Sequence, residues 1–468
     1  MKFLFSINKK TFGAIAMMLL CANVLFAQST FSTYSRFGIG IPTSPGSVTH
    51  FGMGGTSTAI VDGSLINFSN PASYSFCGVT TLQVNAVGSS MTASTADASM
   101  KYSTGQVNEF GLLFKKPGSR WAIATGLTPY STINYSLRDS EIINDTTTAN
   151  KIYSGSGGLN KFNIGTSRIF TIYKTEFRLD SLNKKDTTVK VPVHQISVGL
   201  NANAVFGTLV RTNNAEFDNA TMFNTRETAK LNNKGVGFDL GVLYKVRLAV
   251  KEENDKVIGE SHLYVGADFS TGYKIRSIFT EVNTKYVYNS GAPVDAGNTY
   301  VSEETKGKMT IPSRLSVGVA FRKSAKKWGR YTLAADYKAQ DWSNYKIAFD
   351  SPFSQVGYLD NSSTLSAGFE FEPSIARKSD FIHRMSYRAG LRQTDTHLHI
   401  NGTNITQQAV SVGLSIPVVR SLSRFHIGAE YMTGGTQDNN LILEKGFNFM
   451  VGFTLTPAER WFFQRKYD

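Results

Sequence analysis

Apolar and polar residues alternate with period two through most of this 468-residue chain, and that pattern leaves few folds open. In the last run, Phe447, Phe449, Val451, Phe453 and Leu455 alternate with Asn448, Met450, Gly452 and Thr454. Val410, Val412, Leu414 and Ile416 alternate with Ser411, Gly413 and Ser415. Successive side chains of a strand point to opposite faces, so each run has one apolar and one polar face. A transmembrane barrel needs this pattern, apolar outward and polar inward, in segments of about ten residues. Fourteen segments carry it, near 80–91, 106–115, 120–136, 160–171, 191–210, 234–249, 260–275, 310–323, 328–342, 361–372, 384–397, 405–416, 422–433 and 445–455. The expected fold is all-β, a fourteen-stranded antiparallel transmembrane β-barrel over residues 80–456 with an N-terminal hatch in its lumen. An even strand count places both termini on the periplasmic side.

The connections fit this reading. Residues 116–119, 324–327 and 417–421 are tight turns, whereas 137–159, 211–233, 276–309 and 343–360 are long and polar. Outer-membrane barrels have short periplasmic turns and long extracellular loops. The stretch 172–190 breaks the rule, being long where a short turn is due. Trp121 and Trp328 each begin a strand after a short turn, the position of an aromatic girdle. Trp461, Phe462 and Phe463, in a periplasmic tail over 457–468, would anchor at the same level.

Residues 1–27 read as a signal peptide. Lys2, Lys9 and Lys10 precede an apolar run over 11–27, and cleavage before Gln28 follows a small residue. Past that leader no apolar run reaches the roughly 18 residues of a membrane helix, so the membrane must be crossed by strands. Loss of Cys21 leaves Cys77 as the one thiol, which excludes an internal disulfide framework. The expected location is the outer membrane of a Gram-negative bacterium. The net charge of +14 comes from scattered Lys and Arg. Scattered cations argue against nucleic acid and for contact with anionic headgroups of outer-membrane lipid and lipopolysaccharide.

The inward faces carry glycine on most strands, among them Gly111, Gly126, Gly199, Gly266, Gly318, Gly368, Gly390, Gly413, Gly428 and Gly452. Strand glycine serves close backbone approach or curvature, so either a body in the lumen or the bend of the wall accounts for them. Charges of both signs also point inward, including Asp239, Asp268, Asp336, Glu370, Arg388, Arg392 and Glu430, a pattern expected of a pairing network. Pro129 interrupts the third run. A proline cannot donate to the ladder, so pairing should break there.

Residues 28–79 do not alternate. Phe51-Gly-Met-Gly-Gly-Thr-Ser-Thr-Ala-Ile-Val-Asp62 and Ile66-Asn-Phe-Ser-Asn-Pro-Ala72 resemble the hatch of the long-chain fatty acid transporter (FadL-like) family. Tyr34-Ser-Arg-Phe-Gly-Ile-Gly40 and Arg460-Trp-Phe-Phe463 are similar to the Bacteroidetes-type version. The resemblance implies passive uptake of a hydrophobic or amphipathic, fatty-acid-like small molecule. It implies ligand or hatch contacts at Phe31, Tyr34, Phe37 and Phe51 and a lateral opening at Pro129. Plain packing of the plug is the competing role for the aromatics, and the outer rim the competing place for Pro129. Pro71 and Asn70 would shape a turn of the hatch, with Asn70 bonding nearby backbone.

No metal constellation, nucleophile elbow, phosphate loop or paired cysteine motif is present, so neither an enzyme nor a cofactor is expected. His397 and His399 share a strand face but lie near a loop. The glycines of 155–158 would loosen an extracellular loop. A second reading of the whole is a non-transport barrel that partners secretion-complex proteins.

Overall fold

The computed structural model describes residues 32–456 apart from 44–45, 145–146, 180–185, 220, 254–255, 298, 355–357, 375–379 and 419–421. The leader, Phe31 and the aromatic tail residues Trp461, Phe462 and Phe463 lie outside the described residues. The alternating runs form one closed antiparallel barrel of fourteen strands. They are β1 (Thr81–Ser94), β2 (Ser99–Phe114), β3 (Trp121–Thr132, continued as Tyr135–Asn144), β4 (Thr147–Leu179), β5 (Asp186–Phe217), β6 (Asn224–Glu253) and β7 (Lys256–Ser270, continued as Tyr273–Asn289). Then follow β8 (Thr305–Ile311 and Arg314–Ala325), β9 (Gly329–Asp341), β10 (Asn361–Glu372), β11 (Ser386–Ile400), β12 (Thr403–Pro417), β13 (Arg424–Gly434) and β14 (Leu443–Leu455). The ring closes where β14 pairs with β1, from Leu82↔Leu455 to Ser94↔Leu443.

Side-chain faces follow the alternation. Val412 is 56% exposed on the outside, while its neighbour Ser411 is 1% exposed and points inward. Ile123, Ile164, Val236, Val317 and Phe449 continue the outer apolar belt around the wall. So large a contiguous apolar surface suits lipid rather than water. Trp121 and Trp328 are exposed at the short-turn end, as a girdle requires.

Three stretches expected to be long loops are strands instead. Residues 137–144, 147–157, 207–217, 224–235, 273–289 and 305–311 carry the wall of β3–β8 past the belt. The alternation continues there with its sign reversed. Val205, Leu209, Leu231, Ile275 and Phe279 are buried on the inner face, and Thr208, Lys234, Lys274 and Arg276 are exposed outside. A reading tuned to apolar-outward runs stops at that reversal. The glycines of 155–158 accordingly lie in β4 and not in a loop, and Gly157, with φ +100°, marks the bend where β4 enters the extension. Trp342, Tyr345, Phe353 and Leu359 pack with Phe37, Ile39 and the reversed face into an apolar cap over the long-loop end. At the other end the described parts of the anomalous stretch, 172–179 and 186–190, are also β: β4 and β5 stay paired to Leu179↔Asp186, with a register shift at Ile172/Tyr173.

The N-terminal segment crosses the lumen from the cap to the short-turn end. Ser32 Oγ donates to Glu444 Oε2 at 2.7 Å, near the long-loop start of β14. The first described residues therefore lie at the long-loop end, which corrects the expectation of both termini at the periplasmic end. A lumen-crossing segment adds one passage that a strand count omits. Residues 48–72 touch the inward glycines around the ring. A Cβ on Gly390 would overlap the Gly54 backbone, and one on Gly199 would overlap Pro71 and Ala72. Close approach of this segment, by backbone at Gly199 and Gly390 and by the Phe68 side chain at Gly126, is thus what these glycines serve.

Candidate functional site

Two features define the site, a chamber inside the barrel and a break in the wall beside it. The chamber holds about 340 Å³ between the apolar cap and the N-terminal segment. Tyr34, Trp342 and Leu398 border it from the cap side, Phe51 from below, and Met91, Tyr102, Met432 and Met450 from the wall. Lys338, Arg314, Arg392 and Glu430 supply a charged flank. Small cavities lined by apolar side chains with a few polar groups are the usual form of a ligand site.

The charged flank is held by pairing. Arg314 meets Asp268 at 3.0 Å, Arg392 meets Glu430 at 2.9 Å, and Arg388 meets Glu370 at 2.6 Å. Lys161 and Asp239 pair at 3.2 Å with both side chains buried. The network also grips the N-terminal segment. Asp336 Oδ2 accepts from Ser57 N at 2.6 Å and Thr58 N at 2.8 Å. Lys338 Nζ donates to Gly55 O at 3.0 Å, and Arg322 Nη2 to Val61 O at 2.8 Å. The segment has few regular ladders of its own, so wall side chains satisfy its backbone. Burial first, then the nearby Lys338 and Arg388 charges, lower the His50 pKa to about 3 and keep the ring neutral. Burial pushes the Cys77 thiol up to about 12, and its Sγ–H donates to Leu65 O at 3.1 Å.

The break lies between β2 and β3. These strands pair only from Phe110↔Leu127 to Phe114↔Ile123. Beyond Leu127, β3 leaves β2 and keeps only β4, with a register shift between Pro129 and Ser131. The vacated edge is taken by the N-terminal segment. Ile41–Pro42 forms a short strap antiparallel to β3, Ile41↔Thr132 and Pro42↔Ser131, and Thr43 N donates to Tyr130 O at 2.9 Å. From β2, Asn108 Nδ2 donates to Gly46 O at 3.0 Å. Pro42 has no N–H to leave unpaired, which suits a strap residue.

The expected site residues divide by position. Tyr34 and Phe51 border the chamber. Phe37 is packed in the cap against Tyr358, ring centroids 5.2 Å apart. Asn70 and Pro71 sit low in the barrel. The Asn70 side chain accepts from Ala72 N at 3.0 Å and donates to Thr58 O at 2.8 Å, a turn-forming role. Pro129 pairs with Asn160 beside the break. His397 packs against Trp342 in a tilted pair, ring centroids 4.8 Å apart, and is buried in the cap. Sequence reasoning passed over the chamber residues Met91, Tyr102, Trp342 and Met432. Met91 was within reach, since its inward parity on β1 is apolar where neighbouring strands are polar. The strap was not, because two residues leave no period.

The BamG family model matches residues 8–174 and 181–468. The chain belongs to the BamG family. No curated relative matches it. Among solved structures, the toluene transporter TodX of Pseudomonas putida superposes on this BamG-family chain with TM-score 0.52 at 14% identity, covering 88% of this chain and 98% of its own. A Pseudomonas aeruginosa FadL homologue superposes with TM-score 0.50 at 12% identity, covering 90% and 99%. The Ralstonia pickettii toluene transporter TbuX gives TM-score 0.50 at 12% identity, covering 88% and 98%. The FadL-like resemblance therefore holds at the level of the fold.

Proposed function

We propose that this BamG-family barrel is a passive outer-membrane conduit for hydrophobic or amphipathic small molecules. The observation that carries the reading is the chamber lying against a stretch of wall with no β2–β3 hydrogen bonds. A ligand held among Met91, Tyr102 and Met432 has a short path outward past the strap into lipid. Residues 48–76, which act as the hatch, stay fixed against the glycine ring. The short turns then face the periplasm and the cap faces outward. Support from relatives is of one kind: TodX and TbuX, on the same fold, are toluene transporters. An aromatic hydrocarbon is thus a natural first probe beside a fatty acid. Ser89 borders the chamber, and Ser89→Trp fills it. Binding of toluene or oleate to the purified chain should fall about tenfold or more in that variant, measured by retention in detergent, since the ligand loses its contacts. Equal binding by the variant would remove the chamber from the account.

A second reading, a barrel that partners other proteins, has its own observation. The paired extension of β4 and β5 beyond the short-turn end carries exposed Ile172 and Tyr173 and serves no step of the transport route. Co-purification of a stable complex, lost on trimming residues 173–191, would favour it.

A further inference from the structure

We infer that the outer face of β6–β9 is a docking site for the phosphorylated headgroup of an outer-leaflet lipid. The inference rests on the outer-membrane orientation proposed above. Cations scattered in the sequence are gathered here by register. Arg276 on the continued β7 lies directly opposite Lys234 on β6 and Lys308 on β8. One row toward the belt, Lys274 lies between Val236 and Thr310, and Thr310 faces Lys346 of the two-residue strand Lys346–Ile347 that follows β9. One row outward, Ile278 lies between Asn232 and Lys306. All six cations are exposed on the outer face. Among the described residues, none of them has a carboxylate within ion-pair distance.

Like charges directly opposite one another in a sheet repel. A row of three across adjacent strands is therefore a local cost to the fold that a bound anion removes. Position identifies the anion. Val236 and Phe238, apolar and exposed, follow Lys234 directly along β6, so the cations begin where the lipid belt ends. A lipid whose acyl chains lie on that belt brings its phosphates to this height. An Arg276 guanidinium grips phosphate through two parallel N–H donors, and lysines around it add point charges. Elsewhere the cations are not gathered in this way: Gln393, Gln408 and Thr433 are the neutral part of a row on β11–β13 that continues to Lys445 on β14. Lys101 and Lys445 are outward too, but they are separated by Thr92.

The test uses the purified full chain in detergent and bisphosphorylated lipid A as probe, with retention read by native mass spectrometry. The variant K234Q/R276Q/K308Q should lose about tenfold or more of the wild-type retention. K101Q/K445Q should retain the lipid like wild type. Lipid A stripped of its phosphates should be retained weakly by all three. Wild-type retention by the triple variant, equal loss in the control pair, or displacement by equimolar orthophosphate would overturn the proposal. Heat-modifiable gel mobility reports folding of each variant. As a second measurement, Arg276→Gln alone should raise the lipid-free melting temperature at low salt and not at high salt, because screening removes the repulsion. An unchanged or lowered value at low salt would count against it. Failure of these measurements leaves the chamber untouched, and failure of ligand binding leaves the patch untouched.

Discussion

The inward glycines are where single atoms decide the structure. Gly390 has no room for a side chain, because a Cβ would overlap the Gly54 backbone. Gly390→Val should therefore cost about 1–3 kcal/mol through overpacking. The unfolding midpoint in detergent checks this, with Gly63→Ala as a near-neutral control since nothing lies within 4 Å of the added Cβ. Asp336 is the polar counterpart. Asp336→Ala leaves the Ser57 and Thr58 amides without their acceptor, at about 1–3 kcal/mol for each buried group. Cys77 reports the consequence. The thiolate is the reactive form, and a buried thiol with its pKa pushed up to about 12 should resist maleimide in the native protein. Labelling should accelerate clearly in Asp336→Ala. Equal protection in both would mean that Asp336 does not hold the segment. The glycines were legible in sequence as a class, but two causes were open. Only contacts such as Gly199 against Pro71 separate close approach from curvature.

At the scale of strands, the alternation predicted the belt and missed what lies beyond it. Val412→Arg, at mid-belt and outward, should cost about 2–4 kcal/mol, the range for a cation facing hydrocarbon. Unfolding in lipid or detergent measures it; a negligible cost would invert the assigned faces. All fourteen strands were legible because lipid outside and a polar lumen inside impose one sign of alternation. The extensions of β3–β8 were not, because water outside and the apolar cap inside impose the opposite sign on the two faces. Leu209, Leu231 and Ile275 look like occasional apolar residues in a polar loop until the cap supplies their partner. The stretch 172–190 was anomalous for a related reason: its described residues, 172–179 and 186–190, continue β4 and β5.

For the whole molecule, the cap and the lumen segment close the two ends, and the pairing of the wall breaks at the β2–β3 seam. The cap covers the long-loop end, and residues 48–76 fill the short-turn half. The β2–β3 seam is held by the strap alone on its outer part. Pro129 pointed to the right strand from sequence, since a proline cannot complete a closed ladder. The strap itself carried no signal, and it shifts the weight of the account from Pro129 to Ile41 and Pro42. This gives a direct test of the lateral route. Ile41 and Thr132 are facing partners, within the Cα separation that a disulfide spans, about 4.4–6.8 Å. In a C77A background, an I41C/T132C pair tethers the strap to β3 when oxidised and frees it when reduced. The measurement is transfer of a radiolabelled hydrophobic solute into the lipid of proteoliposomes. The account predicts transfer that stops on oxidation and returns on reduction. Transfer that proceeds equally in both states would contradict a route through the seam.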